Sequence, residues 1–127
     1  MDQGATWSKT WTFFQDAWHE GNVPIIGPRT HTAWLCSVVF DGARAFEGVA
    51  PDLDLHCARV NESAAKLFLK PVVSVETWVK LACEGIAKFD PNTALYIRPP
   101  AGSGAAVAAL RRLPSRNHPR AIITVAS

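Results

Sequence analysis

Two stretches with apolar residues at helical spacing lie back to back, broken by Pro71, and they constrain the fold more than any other feature. Across residues 54–69, Val60, Ala64, Leu67 and Phe68 recur at i, i+4, i+7 and i+8 on one face. His56, Arg59 and Ser63 line an adjoining edge, Asp54 is positioned to cap the start, and Pro71 stops the run. Ser74 is a cap for a second helix, with Glu76 favourable near its N-terminus and Val75, Trp78, Val79, Ala82 and Ile86 as its apolar stripe. The pattern predicts that Trp78, Val79, Ala82 and Ile86 pack against Val60, Ala64 and Leu67. After the turn at Asp90-Pro91-Asn92, residues 93–98 alternate. Ala94, Tyr96 and Arg98 share one face, and Leu95 and Ile97 the other, as in a strand with one wet side.

Upstream, the aromatic runs at 11–14 and 18–19 flank Gln15-Asp16-Ala17 and predict a hairpin with a polar tip. Pro24 and Pro28 bracket an extended connector, and Thr30 is placed to cap a short helix over residues 31–39. The chain breaks at Asp41-Gly42, and residues 43–49 read as a strand ending before Pro51. Hairpin, short helix, strand, two helices and strand give an α+β class, a short sheet packed on two helices. Such a body is thin, and five tryptophans suggest faces that want a partner surface.

Composition removes several function classes. With 48% apolar and 19% charged residues, wholesale disorder, collagen and coiled coil are excluded. No apolar run approaches the roughly 20 residues of a membrane span. The N-terminus lacks the plan of a signal peptide. Cys36, Cys57 and Cys83 show no CxxC spacing, which predicts free thiols in a reducing cytoplasm.

The net charge of +2 hides an asymmetry. Residues 1–98 are slightly acidic, whereas residues 99–127 hold Arg111, Arg112, Arg116 and Arg120 and no acid. The last aromatic residue is Tyr96, and Ala, Pro and Gly dominate after it. This predicts a body over residues 1–98 and an irregular tail over 99–127, of the kind a truncated or frameshifted GC-rich gene produces. The tail lacks the interleaved aromatics and basic helical face of a nucleic-acid binder.

The chemistry on offer is limited. His19, His31, His56 and Cys57 lack metal-site spacings, and no phosphate-binding glycine loop or nucleophile elbow is present. Arg59 and Arg98 stand out as isolated charges beside apolar groups. Each either pairs a carboxylate or offers a planar fork to a phosphate or carboxylate ligand.

Four segments in order resemble the N-terminal part of the class IV, pyridoxal-phosphate-dependent aminotransferases of the branched-chain type. They are the aromatic hairpin, Phe40-Asp41-Gly42-Ala43-Arg44-Ala45-Phe46-Glu47-Gly48-Val49, His56-Cys57-Ala58-Arg59 with Ser63-Ala64, and Ala94-Leu95-Tyr96-Ile97-Arg98-Pro99. The resemblance spans residues 11–99. It implies that Arg59 holds the phosphate of pyridoxal phosphate, that Phe46 and Gly48 line the substrate pocket, and that Tyr96 and Arg98 hold the substrate carboxylate. It also implies amino transfer between a branched-chain amino acid and 2-oxoglutarate, in a protein that can form a homo-oligomer.

Two departures accompany it. Asp41 stands where the family often has tyrosine, and a carboxylate there would repel an acidic substrate. The family continues into a larger domain that supplies the lysine attaching the cofactor. Lys9, Lys66, Lys70, Lys80 and Lys88 do not lie in that lysine's context, so the chain is expected to contain no catalytic residue and to be inactive by itself. The alternatives are a non-catalytic interaction module using its aromatic faces, or a weak nucleic-acid binder using its tail.

Overall fold

A computed structural model describes residues 7–69, 73–102 and 121–127. Its centre is a five-stranded antiparallel sheet in the order β2-β1-β7-β5-β4. The strands are β1 (Thr10–Phe14), β2 (Ala17–Glu20), β4 (Ala43–Ala45), β5 (Leu95–Arg98) and β7 (Ile123–Ala126). Two further strands, β3 (Val38–Phe40) and β6 (Pro100–Gly102), form a separate antiparallel pair. The β1–β2 hairpin turns at Gln15 and Asp16, both with positive φ, which suits the right-handed twist of the strands it joins.

Cross-strand register sorts the side chains into two faces. Ala43, Ile97, Val125 and Trp11 lie in one row, facing the helices. The neighbouring rows, Arg44–Tyr96–Ala126–Thr10 and Arg98–Thr124–Thr12–His19, point the other way, because side chains alternate along each strand. The core is therefore on the helical side, where Ile97, Ile123 and Val125 are fully buried.

Helices α2 (Leu53–Lys66) and α3 (Val75–Ile86) follow α1 (His31–Trp34) and cover that face. Ser74 caps α3 as expected, its hydroxyl accepting from the Thr77 N–H at 3.2 Å. Gly85 lets α3 approach the sheet closely, since a Cβ there would lie 2.6 Å from Val125 and 2.7 Å from Trp18. Trp78 is buried and donates its indole N–H to Asn61 of α2 at 3.2 Å, tying the two helices together.

Several boundaries differ from expectation. The short helix ends at Trp34 rather than 39, because the chain turns at Cys36 with φ 53° and enters β3. The Thr30 hydroxyl accepts from Gly27 instead of from the first helical turn. Residues 43–49 are a three-residue strand plus a tight reversal, in which Phe46 and Val49 exchange two backbone hydrogen bonds of 2.9 Å around Glu47 and Gly48. Asp52 occupies the cap position of α2, and Asp54 lies inside the first turn. Leu67 and Phe68 are not on the packed face: α2 stops at Lys66, Phe68 takes φ 57°, and its ring is 96% exposed.

The largest correction concerns the expected tail. Residues 100–102 pair with β3, and residues 123–126 form β7, the central strand between β1 and β5. Ala121, Ile123 and Val125 are buried in the alternation a strand requires. Residues 100–102 and 123–126 are therefore paired strands rather than an irregular appendage. Gly104, the four tail arginines and the intervening residues fall in 103–120, outside the described residues.

Candidate functional site

The β3–β4 connection places Asp41 over α2, where it meets His56 and Arg59, three residues apart on one helical edge. Arg59 grips the carboxylate at two points, Nε to Oδ2 at 2.5 Å and Nη2 to Oδ1 at 2.8 Å. His56 Nδ1 lies 2.7 Å from the same Oδ1. A carboxylate only accepts, so this contact assigns the proton to Nδ1 and leaves Nε2 as the ring's second nitrogen. The 3.0 Å approach of Arg59 Nη2 to Nδ1 then brings together two donors that converge on one acceptor.

Hydrogen bonding from Arg59 is the main influence on Asp41 and holds its carboxyl below the usual range. Burial opposes the shift, and His56 reinforces it. The same pairing raises the guanidinium of Arg59 further above neutrality. Asp41 is therefore a buried carboxylate whose charge is compensated by Arg59 and His56. Behind it on α2, burial, reinforced by the charges of Asp41 and Asp54, pushes the Cys57 thiol up to about 12.

Gly42 links this cluster to the sheet. A Cβ at Gly42 would come within 2.2 Å of the Tyr96 hydroxyl oxygen, so the absence of a side chain is what lets the Tyr96 ring lie against the backbone beside Asp41. Tyr96 and Arg98 then project from β5 on the face away from the helices. They line a cleft of about 710 Å³ with Phe40, Thr124 and the Val23–Ile26 connector, bordered also by Asn61 of α2 and Trp78 of α3. The guanidinium of Arg98 sits 3.6 Å from the centre of the Phe40 ring. Stacking covers the face of the guanidinium and leaves its N–H edge available. Among the described residues Arg98 is the one charged group lining the cleft, and it makes no ion pair.

The structure thus brings Tyr96 and Arg98 together in the cleft. Arg59 lies outside its lining, joined to Tyr96 through Asp41 and Gly42. Phe46 and Gly48 are exposed at the reversal after β4, where φ of +76° at Gly48 favours glycine. Sequence reasoning missed Phe40 as the partner of Arg98, and the buried Thr32 hydroxyl in the cleft lining, which has no hydrogen-bond partner among the described residues. It also missed that Asp41 pairs Arg59; an acid and a helix-edge arginine on neighbouring elements were the available signal. No group of His, Cys, Asp and Glu suited to a metal ion occurs among the described residues, and no described helix is long and apolar enough to cross a membrane.

No family model matches the chain, and no curated protein matches it. Among solved structures, an aminotransferase from Brucella abortus bound to the cofactor PLP is 42% identical, with a TM-score of 0.76, over 94% of this chain and 42% of its own. A branched-chain aminotransferase from Thermoproteus uzoniensis with norvaline is 21% identical, with a TM-score of 0.68, over 95% of this chain and 40% of its own. The Escherichia coli branched-chain amino acid aminotransferase is 19% identical, with a TM-score of 0.65, over 95% and 39%. The latter two share the fold. The first match is too long to be confined to residues 1–98, so the likeness extends into the segment expected to be foreign. The chain spans about two fifths of the length of these relatives. Over nearly its whole length it is similar to the N-terminal part of the class IV aminotransferases of the branched-chain type.

Proposed function

We propose that this chain supplies the phosphate contact and the substrate-carboxylate contacts of a pyridoxal-phosphate-dependent amino transfer between a branched-chain amino acid and 2-oxoglutarate. The observation that carries the reading is Arg98, stacked on Phe40 beside Tyr96 and, among the described residues, without an ion pair and the one charged group of the cleft. The 42% identity to a PLP-bound aminotransferase supports it.

The residues fit the cofactor's phosphate at one point. Arg59 spends Nε and Nη2 on Asp41, while its side chain remains 61% exposed and Nη1 is left to meet an anion. Pyridoxal phosphate, when bound, supplies the electron sink for breaking bonds at the amino-acid Cα. This chain's own part is to anchor, orient and select. Arg59 holds the phosphate, Arg98 and Tyr96 hold the substrate carboxylate, and Phe46 and Gly48 form the rim of the substrate pocket.

The described lysines do not reach the cleft. Lys9 lies over Phe89, Lys88 lies over Trp11 and Trp18, and Lys66 and Lys80 are exposed on α2 and α3. Lys70 lies outside the described residues, and the chain by itself is expected to turn over no substrate; its free thiols suit a cytoplasmic setting. The test is to incubate the chain with leucine, 2-oxoglutarate and pyridoxal phosphate and follow glutamate. Glutamate formation should equal that of the cofactor in buffer. Turnover that disappears on replacing one particular lysine would contradict this reading. A parallel titration with pyridoxamine phosphate should move the Arg59 side-chain NMR signal, and an unmoved signal would remove Arg59 from its role.

A further inference from the structure

The face of the sheet that carries Tyr96 holds a second arginine to which no role has been given. Arg44 is the direct cross-strand partner of Tyr96, and its guanidinium lies 5.9 Å from the centre of the Tyr96 ring. Arg98 follows Tyr96 by two positions on the same face of β5. Diagonal neighbours of this kind have Cβ atoms about 7–8 Å apart, within reach of two long side chains. Arg44 thus lies against the Tyr96 ring, and Arg98 stands two positions along on the same face, stacked on Phe40.

Among the described residues, nothing on this face neutralises them. Its two rows contain arginine, tyrosine, threonine, alanine and histidine, and no acid. Neither arginine makes an ion pair among the described residues. The nearby acid, Asp41, is committed to Arg59 and His56. Glu47 makes no ion pair among the described residues. Two cations on adjacent strands repel each other, and a ligand with two separated negative groups offsets more of that repulsion than a ligand with one. Phe40 stacks on the guanidinium face of Arg98, so its N–H edge is pre-set for a carboxylate approaching in plane.

We infer that Arg44 is a second anion-binding residue, and that Arg44 and Arg98, diagonal neighbours on the face of Tyr96, form a two-point clamp that binds dicarboxylates more tightly than the monocarboxylates the site also takes. The inference rests on the reading of Arg98 as a carboxylate ligand and adds the residue that sets specificity. Arg44 is exposed and outside the cleft lining, so it acts from the rim on the end of the ligand that projects from the cleft.

The test is an NMR titration of the full chain at low ionic strength with glutarate and with butyrate. The wild-type chain should bind glutarate about tenfold more tightly than butyrate, the scale of one charge-assisted contact. Arg44→Gln should weaken glutarate about fivefold, discounted for exposure, and leave butyrate within about twofold. Arg44→Lys should restore part of the loss, and added salt should erase the preference. Arg98→Gln should weaken both ligands. Equal affinities in the wild type, or an Arg44→Gln change that is the same for both ligands, would overturn the clamp while leaving Arg98 as a carboxylate ligand. Unchanged binding of both ligands to Arg98→Gln would overturn the Arg98 reading and the clamp with it.

Discussion

Asp41 and Arg59 form a two-point ion pair, 2.5 and 2.8 Å long, in which the carboxylate is buried and the guanidinium remains open on its outer side. The pairing depresses the folded-state pKa of Asp41 below its unfolded value. The associated stability is fully present above the unfolded carboxylate pKa and is lost as pH falls through the depressed folded value. Asp41→Asn should therefore lower Tm relative to wild type at pH 7, and the difference should close as the pH is taken below 3.8. Thermal melts across that range check it; a pH-independent difference would mean that packing, not the ion pair, is what was lost.

Gly42→Ala would bring a Cβ to 2.2 Å from Oη and 2.7 Å from Cζ of Tyr96, so the ring must leave its place. The expected cost is about 1–3 kcal/mol, the range for overpacking. In a Tyr96→Ala background the same change should cost much less, because the clash is gone. A double-mutant cycle by denaturant unfolding measures this coupling. Additive losses would show that Tyr96 and Gly42 do not meet.

Val125 sits at 0% exposure in the central strand, against Gly85 of α3 and opposite Ile97 and Trp11. Val125→Asp should prevent cooperative folding, since an unpaired buried carboxylate costs several kcal/mol and β7 joins the two halves of the sheet. A sharp two-state melt of that variant near the wild-type midpoint would remove β7 from the sheet.

How much of this was legible in the sequence depended on whether local pattern or distant pairing decides the element. The hairpin at 11–20, the Ser74 cap and the alternation at 95–98 are local, and each has the form expected from its residues. Tyr96 and Arg98, singled out by the four-motif resemblance, lie in one cleft. By contrast, β7 has no local signal strong enough to outweigh the Ala- and Arg-rich stretch before it. It becomes a strand because β1 and β5 leave a gap between them. Phe68 misled because helical spacing continues past Lys66, while the backbone turns out of the helix. The Asp41–Arg59 pair joins residues 18 apart, a separation that periodicity does not see.

Cys57 is buried with its thiol pushed up to about 12, whereas Cys36 and Cys83 are exposed. A thiol-disulfide reagent at pH 8 should label Cys36 and Cys83 in the folded chain and reach Cys57 only in denaturant. Mass mapping of the labelled peptides decides it. Labelling of Cys57 at the rate of the other two would contradict its burial in α2.

The central claim is that Arg59 offers its free corner to the phosphate of pyridoxal phosphate. The most direct measurement compares binding of pyridoxal phosphate and pyridoxal to the wild-type chain and to Arg59→Ala, by 31P NMR and titration. The phosphate form should bind the wild-type chain about tenfold or more tightly than pyridoxal, and Arg59→Ala should abolish that preference while leaving pyridoxal binding unchanged. A phosphate preference that survives Arg59→Ala would contradict the account.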